Sequence, residues 1–257
     1  MEPQHLHAGH GWEWVKRGYA LFMKAPLLWI VLIMIFFIGM AALSAVPLLG
    51  EPLTSLLLPV VLVGLMVGCR ALEQGDELEL SHLFIGFQQR TTQLITLGGI
   101  ALVAQFLIFG AMMLVGGGTL VSILMSAQPP DSPEILTQAI AGASLAVLLG
   151  IFLFSLLLMS MQFAPMLVYF NNLTPIAAMQ LSLRAFTRNI GSMLVYGITF
   201  TLLAILATMP MMLGWLILMP VVFTSVYAAY SEIFPVITET SDAPSVEFSS
   251  QDDQSHF

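Results

Sequence analysis

Apolar residues fall into two kinds of stretch along this chain. In one kind they recur at helical spacing with polar residues between them; in the other they run unbroken for about twenty positions. The segment opening at Thr174-Pro175 shows both in succession. A hydroxyl that can cap free N–H groups is followed by a proline whose missing N–H costs nothing at the first helical position. Ile176, Met179, Leu183 and Phe186 then share one helical face, with Gln180, Arg184 and Arg188 off it. That pattern predicts an amphipathic helix lying in a membrane interface. Residues 190–209 follow without a charge, and at about 1.5 Å per residue they cover roughly 30 Å, the thickness of a hydrocarbon core.

The same succession occurs twice earlier. Trp12, Val15, Tyr19 and Phe22 form a stripe, with Glu13 and Arg17 spaced to pair on its wet side, before a span over 26–46. Leu80, Leu83 and Phe87 form a shorter one, ending at Arg90, before a span over 92–115. Further spans are predicted at 53–72, 136–170 and 211–230, making six. The second contains Pro59 and Gly64-x-x-x-Gly68, a spacing that lets another helix approach closely. The fourth is longer than one crossing needs, which predicts tilt or a kink at Pro165. The loop SAQPPDSPE separates spans three and four, with Ser132 a candidate cap. Residues 1–11 and 235–257 lack periodicity and are expected to be disordered, flanking a membrane domain over 12–234.

Composition agrees: 58% of residues are hydrophobic, 9% are charged and the mean hydropathy is +0.93, which excludes an ordinary soluble domain. The net charge of −8 misleads, because Glu232, Glu239, Asp242, Glu247, Asp252 and Asp253 lie at or beyond the end of the last apolar run. All seven basic residues, Lys16, Arg17, Lys24, Arg70, Arg90, Arg184 and Arg188, fall before span one, between two and three, or between four and five. The alternate loops hold Glu51, Asp131 and Glu134. Positive-inside bias predicts both termini in the cytoplasm and a cationic rim facing anionic lipid headgroups. The first span is expected to remain as an anchor, since no convincing small-residue cleavage site follows it.

Three segments align: WEWVKRGYALFMKAPLLWIV, LSHLFIGFQQRTTQLITLGG and AMQLSLRAFTRNIGSMLVYG. Each has a small residue before an aromatic one (Gly18-Tyr19, Gly86-Phe87, Ala185-Phe186), and the second span of each unit carries a proline, Pro59, Pro165 or Pro220. The fold expected is all-α and integral to the membrane, with six transmembrane helices arranged as three parallel repeats of a cytoplasmic interfacial helix plus a helical hairpin, over about 12–72, 80–171 and 174–232.

The stretches GCRALEQGDELELSHLFIGF, QFAPMLVYFNNLTPIAAMQLSLRAFTRN and Tyr227-x-x-Tyr230-x-Glu232-x-Phe234 resemble an uncharacterised family of bacterial inner-membrane proteins. More distantly the chain looks like the membrane-anchoring region of some glycerophosphodiester phosphodiesterases. The resemblance implies a fold and an inner-membrane location, and little about activity.

Candidate chemistry is sparse. His5, His7 and His10 match no structured metal site, and the lone Cys69 can form neither an intrachain disulfide nor a cysteine-based metal site. Glu73, Asp76, Glu77 and Glu79 form an acidic run that suits a solvated turn better than a cation site. Gly116 to Gly118 lacks the lysine of a phosphate loop, and the adjacent methionine pairs are not ligand spacings. No Asp, Glu, Lys or His is expected at mid-membrane, so no catalytic, cofactor-binding or metal residues are assigned. The amides Gln105, Gln162, Asn171 and Asn172 are candidates for interhelical contacts or for the lining of a polar cavity. The leading expectation is a non-enzymatic membrane protein that organises, assembles or scaffolds other membrane components, with a membrane-protein partner and no nucleic acid. The alternatives are a carrier or facilitator for a small amphiphile or lipid, with its cavity near the three prolines, and an enzyme acting on lipid headgroups.

Overall fold

A computed structural model describes residues 2–117 and 133–235. Among the described residues every regular element is helical. In chain order these are α1 (His10–Lys24), α2 (Pro26–Ser44), α3 (Gly50–Gln74), a 3-10 helix (Leu80–Phe87), α4 (Thr91–Met112) continued by a π turn (Met113–Gly117), α5 (Pro133–Met161), α6 (Ala164–Phe170), α7 (Pro175–Arg188), α8 (Ile190–Thr208) and α9 (Trp215–Ile233). Six stretches are long and apolar enough to cross a membrane: Pro26–Ser44, Gly50–Gln74, Thr91–Gly116, Gly142–Phe170, Ile190–Thr208 and Trp215–Ile233. The expected loop around Asp131 with its Ser132 cap, and the tail beyond Pro235, lie outside the described residues.

Three of the spans form the centre. The α9 span is 56% buried and the α4 span only 11%, so α9 is wrapped by protein while α4 faces outward. α3 and the buried run Ala164 to Val168 of α6 complete the middle. Phe163 meets Phe234 edge-on at 5.9 Å, and Phe170 meets Tyr230 at 5.8 Å, joining α6 to the end of α9.

The long fourth span is broken rather than bent. α5 stops at Met161 and α6 restarts at Ala164, which puts Pro165 in a first helical turn where its missing N–H is no loss. Ser182 of α7 repairs the break: its hydroxyl accepts the Phe163 N–H at 3.1 Å and donates to Met159 O at 2.8 Å. Inside a membrane such groups have no water to turn to. Pro59 and Pro220 instead lie within α3 and α9.

The short amphipathic helices bury only part of their apolar stripes, and small residues make up much of the rest of the contact. On α1 the buried residues are Gly11, Trp14, Val15, Gly18, Leu21 and Phe22, while Trp12 and Tyr19 are about half exposed. On α7 they are Ala178, Ser182 and Ala185, and Ile176 is exposed. In the 3-10 helix they are Leu83 and Gly86. Small residues decide this. A side chain at Gly18 would lie 2.6 Å from the Ser225 backbone of α9, and one at Gly64 would lie 2.6 Å from Leu83 O. The helix that Gly64-x-x-x-Gly68 admits is therefore the 3-10 helix, with Leu78 against Gly68. α1 packs on α9 and α8, the 3-10 helix on α3, and α7 on α5 and α6.

Residues 2–9 have no regular structure, yet they are tied to the helices. Gln4 N–H donates to Ile233 O at 3.0 Å. The buried amide of Asn189 accepts the Leu6 N–H and donates to Gln4 O, each at 2.8 Å. The Ser192 hydroxyl donates to His7 O, also at 2.8 Å. An amide offering a donor and an acceptor side by side does for this segment what a neighbouring strand would.

Candidate functional site

The ends of α3, α6 and α9 come together beneath α1, and polar chemistry gathers there. α3 ends because Gly75 takes a left-handed conformation, φ 91°, which closes the helix through its N–H to Leu72 O and Ala71 O. Lys24, the last residue of α1, donates to Leu72 O at 2.5 Å, a cation on the negative end of the α3 dipole.

Beside this junction lies a cavity of about 610 Å³ lined by Arg17, Arg70, Glu73, Asn171, Tyr227 and Tyr230, with Phe170 and Phe234 among its apolar walls. Glu73 accepts the Tyr227 hydroxyl at 2.8 Å and faces Arg17 at 3.9 Å. Tyr230 donates to Asn171 Oδ1 at 2.5 Å. Just behind, Glu232 is held from three sides by α1: His10 Nδ1 at 2.6 Å, Trp14 Nε1 at 2.8 Å and Arg17 at 3.4 Å. Both carboxylates are thus engaged on the α1 side. Arg70 is not. Its guanidinium stacks over the Phe170 ring at 5.2 Å, and among the described residues no carboxylate lies within ion-pair distance of it. Counted together, Arg17, Arg70, Glu73 and Glu232 are formally neutral. What distinguishes Arg70 is geometry: Glu73 shares the cavity but is within ion-pair distance of Arg17 and not of Arg70.

The four candidate amides are not brought together. Gln105 lines an outer groove of about 430 Å³ with Glu51, Phe106 and Phe154. Gln162 lines an apolar cavity of about 320 Å³ that includes Pro59 and Pro165, with Val222 and Phe223 in place of Pro220. Asn171 belongs to the Arg70 cavity, and its neighbour Asn172 is exposed with φ 58°. Asp76 and Glu77 line a separate pocket of about 390 Å³ with Lys24, while Glu79 closes a capping box with His82. Of the cations expected to face headgroups, Lys16, Arg17, Lys24, Arg90, Arg184 and Arg188 are exposed, and Arg70 is half-buried. Arg90 bonds Gln93 and Arg188 lies 3.9 Å from Glu2.

Sequence reasoning missed the Glu232 junction. Its signal was present: His10, Trp14 and Arg17 are spaced i, i+4, i+7 on one face of α1. Arg17 does not pair with Glu13, because two carboxylates from α3 and α9 compete for it and the pair at i+4 is the weaker attraction.

Six apolar crossings around a polar junction at the helix ends define a multi-pass α-helical membrane protein. The chain is similar to a "probable inner membrane protein" of Burkholderia thailandensis, 29% identical over 271 residues that cover 94% of this chain and 100% of that protein. The similarity supports an inner-membrane location. No family model and no solved structure matches the chain, and nothing in these comparisons links it to the glycerophosphodiester phosphodiesterases.

Proposed function

We propose that this chain is a non-enzymatic inner-membrane protein that receives an anionic amphiphile at the cytoplasmic ends of its helices. The single observation that carries this is Arg70, stacked on Phe170 in a 610 Å³ cavity and left without a carboxylate partner among the described residues. A guanidinium presents donors in a planar fork matched to phosphate or carboxylate oxygens. Glu73 and Glu232, the acids nearest the cavity, are bonded to Tyr227 and Trp14 and ion-paired with Arg17, which suits a role in joining α1, α3 and α9. The outward faces of α4 and α8 are apolar, with Val103, Phe106 and Leu107 on one and Leu194, Ile198 and Leu202 on the other, and they fit lipid tails.

The cytoplasmic assignment of both termini rests on the seven cations, which alternate crossing brings to one face. The reading as three parallel units is supported by the order of packing. The 3-10 helix packs on the second span of the first unit, α7 on that of the second, and α1 on that of the third.

The test is extraction of the full chain in mild detergent with mass-spectrometric identification of bound lipid. Wild type is expected to carry anionic lipid enriched over the bulk membrane, and Arg70→Gln to lose that enrichment. An identical lipid profile in the two proteins would overturn the reading.

A further inference from the structure

The Arg70 cavity does not stand alone. The apolar cavity of about 320 Å³ is walled by the same three helices and the end of α5, with Met66 on α3, Met166 on α6 and Val226 on α9. Four residues further along each helix stand Arg70, Phe170 and Tyr230, which line the polar cavity. Residues at i and i+4 share a face one turn apart, about 6 Å. The two cavities are therefore stacked along one axis between α3, α6 and α9, polar at the helix ends and apolar toward the prolines. Gln162 is the one polar side chain among the residues lining the inner cavity.

We infer that a single amphiphile occupies both, its oxyanion head on Arg70 and one alkyl chain between Pro59 and Pro165. This rests on the proposed anionic-amphiphile reading and goes further, because a headgroup held at the rim could leave its chains in the surrounding bilayer. Three features favour the inner cavity for the chain. Its walls are Leu, Met, Val, Phe and Pro, the surface an alkyl chain packs against. Its volume is at the lower end of small-molecule sites, roughly 300 Å³, which suits one chain. Met66 and Met166, both nearly fully buried, give it unbranched side chains that adjust to a flexible occupant. The shared chemistry, an oxyanion on one alkyl chain, fits a lysophospholipid or a fatty acid.

Native mass spectrometry of the full chain in a detergent of low lipid affinity provides the test. The probes are lysophosphatidylglycerol and fatty acids from eight to sixteen carbons (about the lengths one chain site discriminates), glycerol 3-phosphate as head alone, and monoacylglycerol as chain alone. Binding of either anionic single-chain probe, about tenfold stronger than of monoacylglycerol, is expected; the stronger of the two names the head. Affinity should rise with chain length and level off once the cavity is filled, a readout that needs no variant. Leu62→Phe and Val226→Phe, which fill the cavity from α3 and α9, should shift that plateau to shorter chains. Arg70→Gln should reduce the anionic probes to the level of monoacylglycerol. If Arg70→Gln has no effect, both the reading and this inference fail. If it acts but wild type is indifferent to chain length, headgroup binding stands and the shared occupancy is overturned.

Discussion

Glu232 accepts bonds from a buried tryptophan, a histidine and an arginine, and its three partners differ in what they lose without it. Trp14 is fully buried, so its Nε1–H has no access to water if the acceptor is removed. Leaving such a donor unpaired costs about 1–3 kcal/mol. Arg17 is half exposed, and an exposed ion pair contributes only about 0–1 kcal/mol. Glu232→Ala should therefore lower the unfolding midpoint in detergent clearly, Glu232→Gln much less because an oxygen still faces Trp14, and Arg17→Ala least of all. The order, followed by thermal unfolding, checks whether the hydrogen bond to Trp14 or the charge on Arg17 holds α1 to α9. A larger loss in Arg17→Ala than in Glu232→Ala would assign the junction to charge.

At the scale of the helix, close approach decides which face is buried. In water the apolar stripe would turn inward, but lipid tails are as apolar as leucine and give no such preference. The stripes of α1 and α7, legible as periodicity, therefore give only part of the contact: Val15 and Phe22 are buried with Gly11, Gly18, Ala178, Ser182 and Ala185, while Trp12, Tyr19 and Ile176 face outward. The small members of Gly18-Tyr19, Gly86-Phe87 and Ala185-Phe186 all prove to be buried. Gly18→Val should destabilise by about 1–3 kcal/mol through overpacking against Ser225, whereas Gly39→Val, where nothing lies within 4 Å, should leave the melting temperature nearly unchanged. Ser182→Ala, which frees the Phe163 N–H and Met159 O at the α5–α6 break, should cost roughly 0.6–2 kcal/mol; a melt unchanged from wild type would show that the break needs no support. Span positions were readable because length and hydrophobicity suffice to define them. The Arg70 cavity was not, since its residues come from α1, α3, α6 and α9 and no periodicity relates positions 17, 70, 171 and 230. Its parts were nonetheless on view: Arg70 with Glu73, Phe170 with Asn171, and Tyr227 with Tyr230 each fall within a stretch quoted for the family resemblance.

For the whole molecule, the distribution of charge and the order of the spans make one joint claim about orientation. Six crossings bring the ends of α3 and α9 and the starts of α2, α4 and α8 to a common face, and the seven cations lie there. The cationic face is expected to meet the cytoplasm. On that expectation the polar junction and the Arg70 cavity lie on that side, and the proposed ligand enters from the inner leaflet. Cysteine labelling checks this directly, because Cys69 is fully buried and should not react with a membrane-impermeant maleimide in the folded protein. A cysteine placed at Glu51, exposed between α2 and α3, should label in intact spheroplasts. One placed at Gln88, exposed just before α4, should label only after the membrane is opened. The reverse pattern would put Arg70 at the outer leaflet and remove the cytoplasmic ligand from consideration. Equal labelling at both sites in intact cells would mean that α3 does not cross, and the stacked cavities between α3, α6 and α9 would lose the bilayer setting that gives them an amphiphile to bind.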